Sequence, residues 1–245
     1  MEGGFKRAEV STQRRLILSV GGMEKCGKTS WALTAPGPIA MLNTDIGHEG
    51  VVDKFLGQRE IWIAHYKAPR TQDDATNCAE SMESDLYTAL STARSVVVDN
   101  ATEMWETLRL AHFGKLTQIK PHHYAEVNAR FRRMIRDAYD SSDANLILIH
   151  KYKKQYVQTD PRKDASWNGQ YERAGFSETG FLVQADIECF RENNDEFYQV
   201  VRNCRQNAHI NGERFDYPMN TFPYFAISVF PDTEVDDWGG DVEIP

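Results

Sequence analysis

The densest chemistry in the chain lies in eight consecutive residues, Gly22-Met23-Glu24-Lys25-Cys26-Gly27-Lys28-Thr29, which satisfy G-x-x-x-x-G-K-[ST]. At average composition the pattern arises by chance about once in a hundred chains of this length. Two glycines let the backbone curl so that consecutive N–H groups face a phosphate, and a helix start behind them adds a favourable dipole. Lys28 would then reach the β- and γ-phosphates as a point charge, and the Thr29 hydroxyl would serve Mg²⁺. The candidate nucleotide-binding set is Gly22, Met23, Glu24, Lys25, Cys26, Gly27, Lys28, Thr29 and Ser30. The competing reading is a Gly-rich strand-to-helix turn with an exposed lysine. The buried-strand pattern before the motif and the helical pattern after it favour the phosphate loop. Solvation on the outer side of the turn explains the charges of Glu24 and Lys25 as well as any role does.

Such a loop needs a second carboxylate for the metal, at the end of a hydrophobic strand. Val96-Val97-Val98-Asp99 supplies it, and Asp99 is paired with Thr29 as the metal-holding set. An aspartate there could instead cap a helix starting at Asn100-Ala101-Thr102. Hydrolysis also needs a group that orients or deprotonates water. Thr44-Asp45-Ile46-Gly47-His48-Glu49-Gly50 offers Asp45, ranked first because a strand would end there, and Glu49; a turn or cap role competes for both. His48 reads as a surface loop residue. His150, closing Leu146-Ile147-Leu148-Ile149, could sense a γ-phosphate, though a buried, hydrogen-bonded histidine is the more ordinary expectation.

The elements that must position these groups follow from periodicity. Short apolar runs at 15–21, 39–43, 61–66, 95–99, 146–149, 186–190 and 197–201 read as strands, and the first, the β-branched 95–99 run and 146–149 as buried ones. Helices are expected over 28–34, 73–93, 102–117 and 122–139. The last carries Tyr124, Val127, Phe131, Met134, Ile135 and Tyr139 on one face. Strands alternating with helices predict an α/β fold, a mostly parallel sheet with helices on both faces. Residues 151–180 show no clear period and read as a loop region with room for a hairpin.

The chain has 245 residues, enough for one ordinary domain with a full core. Its 41% hydrophobic and 26% charged residues exclude disorder over most of its length. No apolar run approaches the roughly 20 residues needed to span a bilayer. The first fifteen residues lack a hydrophobic signal core, so nothing in them marks export, and no membrane partner is expected. Four scattered cysteines (Cys26, Cys78, Cys189, Cys204) fit neither a zinc site nor a disulfide framework, which makes a reducing cytoplasm the simplest compartment. The net charge of −8 is segregated. Residues 232–245 hold six acids and no Lys or Arg, and the rest of the chain has 28 basic against 30 acidic side chains. That segment is expected to be a disordered tail, serving solubility or mimicking DNA. Residues 115–163 carry eleven Lys/Arg against five Asp/Glu.

In GGMEKCGKTSWAL, NTDIGHEG, SVVVDN and NLILIHK the chain resembles the RecA-like P-loop ATPases, most of all the small phage-encoded RecA-core proteins of single-strand annealing and recombination. The matches run over roughly residues 15–205, and the phosphate loop is the specific one. The resemblance implies an N-terminal extension over 1–14, a RecA-like ATPase domain over 15–231 and the acidic tail over 232–245. It implies a strand between those of the phosphate loop and Asp99, a place that 39–43 could take. It further implies ATP with Mg²⁺, homo-oligomers holding ATP at subunit interfaces, a possible single-strand-binding protein as partner and, if phage-encoded, the host cytoplasm. Related ATPases reach a neighbour's γ-phosphate with a Lys-x-Arg pair. Here Arg205 matches the arginine, Asn203 replaces the lysine, and Arg202 is displaced by one position.

Nucleic acid would find basic groups interleaved with aromatic ones: Arg130, Arg132, Arg133 and Arg136 on the 122–139 helix, then Lys151, Lys153, Lys154, Arg162 and Lys163 among Tyr152, Tyr156, Trp167 and Tyr171. Cations neutralise phosphates and aromatic faces stack on unpaired bases, which suits single-stranded DNA. The candidate DNA-binding set is Lys151, Lys153, Lys154, Tyr156, Arg162 and Lys163; a solvated basic helix face beside an irregular loop is the plain alternative. The functional expectation is a single-strand DNA-binding protein of phage-type recombination, annealing or repair whose Mg²⁺-dependent ATP hydrolysis DNA stimulates. A P-loop kinase and a nucleotide-gated adaptor without turnover remain the alternatives.

Overall fold

Apolar residues in the strands alternate between two destinations, and that alternation builds the molecule. The structure, a computed structural model, describes residues 14–45, 48–115, 120–158, 164–193 and 196–244. In chain order the elements are β1 (Ile17–Gly22), α1 (Lys28–Ala32), β2 (Ile39–Asn43), β3 (Ile61–His65), α2 (Gln72–Thr92), β4 (Ser95–Asp99), α3 (Ala101–Phe113), α4 (Ala125–Ser141) and β5 (Asn145–Ile149). They continue as β6 (Tyr152–Val157), β7 (Ser166–Arg173), α5 (Thr179–Leu182), β8 (Ala185–Glu192), β9 (Glu196–Cys204), β10 (Arg214–Phe215) and α6 (Phe222–Val229). Eight strands form one sheet in the order β10-β9-β8-β1-β5-β4-β2-β3, parallel from β8 through β3 and antiparallel at β9 and β10.

Because successive side chains point to opposite faces, Leu18, Val20, Met41, Val97 and Ile147 pack on one side with Trp31, Phe55, Phe222 and Phe225 of α1, α6 and the turn at 52–55. Ile17, Leu42, Val96, Val98, Leu146 and Leu148 pack on the other with α2, α3 and α4, including Met82, Leu86, Met104, Leu108, Val127, Phe131 and Met134. Burial on both faces explains why these strands read as continuous apolar runs. The starts of α2 and α3 are set by side-chain caps. Thr71 and Asp74 form a reciprocal capping box, and Asn100 Oδ1 accepts the Glu103 N–H at 2.8 Å. Helix α3 stops at Phe113, short of the expected 117, because Gly114 turns the chain at φ 61°.

One expectation is corrected by the topology: the strand between β1 and β4 is β5, whereas β2 lies beyond β4. The 151–180 region does hold the hairpin it had room for, a separate two-stranded sheet of β6 with β7, followed by the short α5.

The acidic tail is also not disordered over its described residues. A 3-10 turn at Val235–Trp238 drives Trp238 to 1% exposure, stacked on Phe230 at 5.6 Å and 9° and tilted against Phe222. Its indole N–H donates to Thr233, Asp232 pairs with Arg14, and the Glu243 backbone exchanges hydrogen bonds with Gln58. One large aromatic ring outweighs the acidic composition because burying it removes 150–250 Å² of mostly apolar surface from water. Among the described residues, no helix is long and apolar enough to cross a membrane.

Candidate functional site

The loop between β1 and α1 is shaped by close approach of its backbone to β8. Gly22 pairs with Cys189, and a Cβ on Gly22, at φ +141°, would stand 2.5 Å from the Cys189 carbonyl oxygen and 2.8 Å from Cys26 Sγ. Gly27 takes the left-handed conformation at φ 81° just before α1, with the Phe197 ring where a Cβ would crowd it. Cys26 is buried inside the turn, its thiol donating to the Met23 carbonyl at 2.8 Å, and burial pushes that thiol's pKa up. Met23, Glu24 and Lys25 are exposed on the loop's outer side, while Gly27, Lys28, Thr29 and Ser30 are half-buried. The Lys28 ammonium lies over the turn, donating to the carbonyls of Gly22 at 3.1 Å and Met23 at 2.5 Å.

Thr29 and Asp99 meet although 70 residues separate them: Thr29 Oγ1 donates to Asp99 Oδ2 at 2.6 Å. Asn100 takes the capping of α3, which leaves the Asp99 carboxylate directed at the loop. Burial raises the pKa of Asp99; the Thr29 hydrogen bond opposes that, Asp45 adds to it, and Lys28 and Lys151 oppose it. Asp45 joins the same cluster, accepting from Asn100 Nδ2 at 3.3 Å, and its chain position is fixed by Asn43 Nδ2 donating to the Asp45 carbonyl at 2.6 Å. Glu49 is exposed in the turn that follows. His48 is not a free surface residue: its ring lies 4.6 Å from that of His65, and its Nδ1 is 2.9 Å from Asn43 Nδ2.

At the end of β5, His150 is wholly buried, but neither imidazole nitrogen has a well-formed hydrogen bond, against the expectation of a bonded histidine. Burial drives its pKa well below the ordinary value, Arg173 adds to this and the Ala174 backbone pulls the other way. Lys151 is exposed, but its charge is already met by two acids. Its ammonium is 2.9 Å from Glu103 Oε1 and 3.7 Å from Asp45 Oδ2. Burial lowers its pKa and the two acids outweigh that, so the net direction is up.

Further along the hairpin, Lys153 pairs with Glu172 at 3.3 Å, and Lys154 Nζ lies 4.9 Å over the Trp167 ring. Tyr156, opposite Trp167 in register, is 60% exposed, with Trp167 at 46% and Tyr171 at 42%. Arg162 and Lys163 lie outside the described residues. On α4, Arg130 makes a two-point contact with Glu83 (2.6 and 2.9 Å) and Arg132 pairs with Glu178, so half of the expected basic helix face is already neutralised. Arg205 follows β9 at the end of the sheet opposite Gly22, and its guanidinium donates to the Phe181 carbonyl at 2.7 Å. Arg202 pairs with Glu188 at 2.6 Å.

A glycine-lined loop between a central strand and a helix, with a Thr–carboxylate pair beneath it and helices on both faces of the sheet, defines a P-loop NTPase domain. The sequence pattern described as an AAA domain matches residues 14–180, about two thirds of the chain, and the chain belongs to that family. Membership implies ATP as the nucleotide at the loop. No curated protein matches the sequence.

Proposed function

We propose that this protein is a Mg²⁺-dependent ATPase that binds single-stranded DNA on its β6–β7 hairpin and works in recombination or annealing, as its resemblance to RecA-core proteins implies. The observation that carries the ATPase reading is the Thr29–Asp99 hydrogen bond at 2.6 Å below the phosphate loop, with Asp45 beside it. Those two oxygens are the pair that would hold the metal, and the turn at Gly22 and Gly27 packs so closely on Cys189, Cys26 and Phe197 that only glycine leaves its backbone free to curl around a phosphate. Bound Mg²⁺ supplies charge neutralisation at the phosphates. Lys28 exchanges the loop carbonyls for phosphate oxygens, and Asp45 orients or deprotonates the attacking water. β5 in the place between β1 and β4 supports the RecA-like reading.

Support for DNA comes from the hairpin, where Lys154, Tyr156, Trp167 and Tyr171 present cationic and aromatic surface that no core needs. Arg205, remote from its own loop, would act only in a neighbour's site, within an oligomer holding ATP between subunits. The test is steady-state ATP hydrolysis with Mg²⁺, with and without single-stranded DNA, for wild type and Lys28→Ala. Hydrolysis that rises with DNA and vanishes in the variant is expected. Lys28-dependent hydrolysis that ignores DNA would remove the nucleic-acid half, and hydrolysis surviving Lys28→Ala would remove the rest.

A further inference from the structure

Gly21 precedes the phosphate-loop motif, and phosphate binding does not require it. Yet a Cβ at Gly21 would lie 2.3 Å from Tyr152 Cε1 and 2.7 Å from the Tyr152 hydroxyl. The first residue of β6 therefore lies directly on the backbone of β1 at the root of the loop. Its neighbour Lys151 is tied just as closely. The Lys151 N–H donates to Thr102 Oγ1 at 3.1 Å, and the Lys151 carbonyl accepts the Ala174 N–H at 2.9 Å. The same Thr102 hydroxyl donates to the Ala174 carbonyl at 3.2 Å. Both roots of the hairpin, before β6 and after β7, are thus gathered on one residue of α3, two positions beyond the Asn100 that contacts Asp45. From this knot the Lys151 side chain reaches back to Asp45 and Glu103.

We propose that Lys151 is a positioning residue: it aims Asp45 at the Thr29–Asp99 pair and makes that aim depend on the hairpin. The inference rests on reading Asp45 as the acid of hydrolysis. At 3.7 Å and partly exposed, the Lys151–Asp45 pair is weak, and Glu103 competes for the same ammonium at shorter range. A small displacement of the hairpin root is enough to change which acid holds Lys151. The side chain thereby converts movement of an exposed strand pair into a change in the placement of one carboxylate. Strong contacts could not do this, because they would not exchange.

The experiment uses the full chain, wild type against Lys151→Ala and Lys151→Arg, in steady-state ATP hydrolysis with Mg²⁺ and with or without oligo(dT). Oligo(dT) affinity is read by fluorescence anisotropy and Tm is measured for each protein. Lys151→Ala is expected to lower kcat about tenfold or more, the scale on which misplacing a reacting group acts. KM, Tm and oligo(dT) affinity should stay within about twofold or a few degrees, rate stimulation by oligo(dT) should disappear, and Lys151→Arg should restore most of kcat. Unchanged kcat in Lys151→Ala overturns the proposal, as does a loss of kcat that follows a fall in Tm. A loss of oligo(dT) affinity with kcat intact would return Lys151 to the DNA-binding set and equally overturn it. Wild-type protein without Lys28-dependent hydrolysis sinks the underlying ATPase reading, and that control separates the two failures.

Discussion

Single residues in this protein are defined by what crowds them. Substituting Gly21→Ala forces the new methyl group into the Tyr152 ring, and either the ring or β1 must shift. The expected cost is about 1–3 kcal/mol of stability, read from urea denaturation. Combining it with Tyr152→Ala should cost less than the two single changes together, because the clash is then gone. His150 gives a pH signature. Its imidazole stays neutral in the folded protein well below the ordinary pKa near 6.5, while the unfolded chain takes up the proton normally. The unfolded state therefore binds more protons as pH falls from 6.5, and stability is lost in that direction by up to about 1.4 kcal/mol per pH unit. Denaturation of wild type and His150→Leu between pH 7 and 5 checks this. Parallel slopes would mean His150 does not carry the effect. At this scale the sequence was most legible where the chemistry is local. Gly22 to Thr29 announce themselves within eight residues, and Asp99 follows from its strand. The Lys151–Asp45 contact and the reason for Gly21 join residues more than 100 apart, and no local pattern carries them.

Elements were legible to the extent that they are buried. The strands 39–43 and 95–99 coincide with β2 and β4 because both faces of each are covered, which leaves an unbroken apolar run. β6 and β7 showed only as room for a hairpin, without bounds, for the opposite reason. A two-stranded sheet with most side chains exposed has no buried face, so its aromatic and polar residues follow no period. Strand order, including β5 between β1 and β4, is likewise absent from local pattern, since it depends on the path of each crossover. The exposed hairpin should carry the nucleic-acid affinity as an element. Tyr156→Ala with Trp167→Ala is expected to weaken oligo(dT) binding by about tenfold or more, from 1–3 kcal/mol per lost stacking contact. Hydrolysis without DNA should be nearly unchanged. Anisotropy titrations check the first outcome and steady-state rates the second, and unchanged affinity would dismiss the hairpin as the DNA surface.

For the whole molecule, the last described residues behave as part of the core. Trp238 closes the face of the sheet covered by α1 and α6, so Trp238→Ala should cost about 3–5 kcal/mol. Removal of residues 232–245 should lower Tm by many degrees. Thermal denaturation decides between this and a dispensable tail, for which Tm would not move. The charge hypothesis for the tail is better tested by neutralising the exposed Asp236 than by truncation. Composition misled here because six acids dominate an average over fourteen residues, while one tryptophan decides the packing.

The position of β1 has a consequence for how the protein is made. This strand leaves the ribosome first among the sheet's members, yet its neighbours are β5 and β8, and its Ile17 N–H waits for the side chain of Gln184, 167 residues later. At translation rates of about 5–20 residues per second, the interval is roughly 10–30 s. Until β8 emerges, Gly22 has no Cys189 carbonyl against which to form its turn. The nucleotide loop is thus synthesised well before it can acquire its shape, and ATP cannot assist folding before Cys189 has emerged.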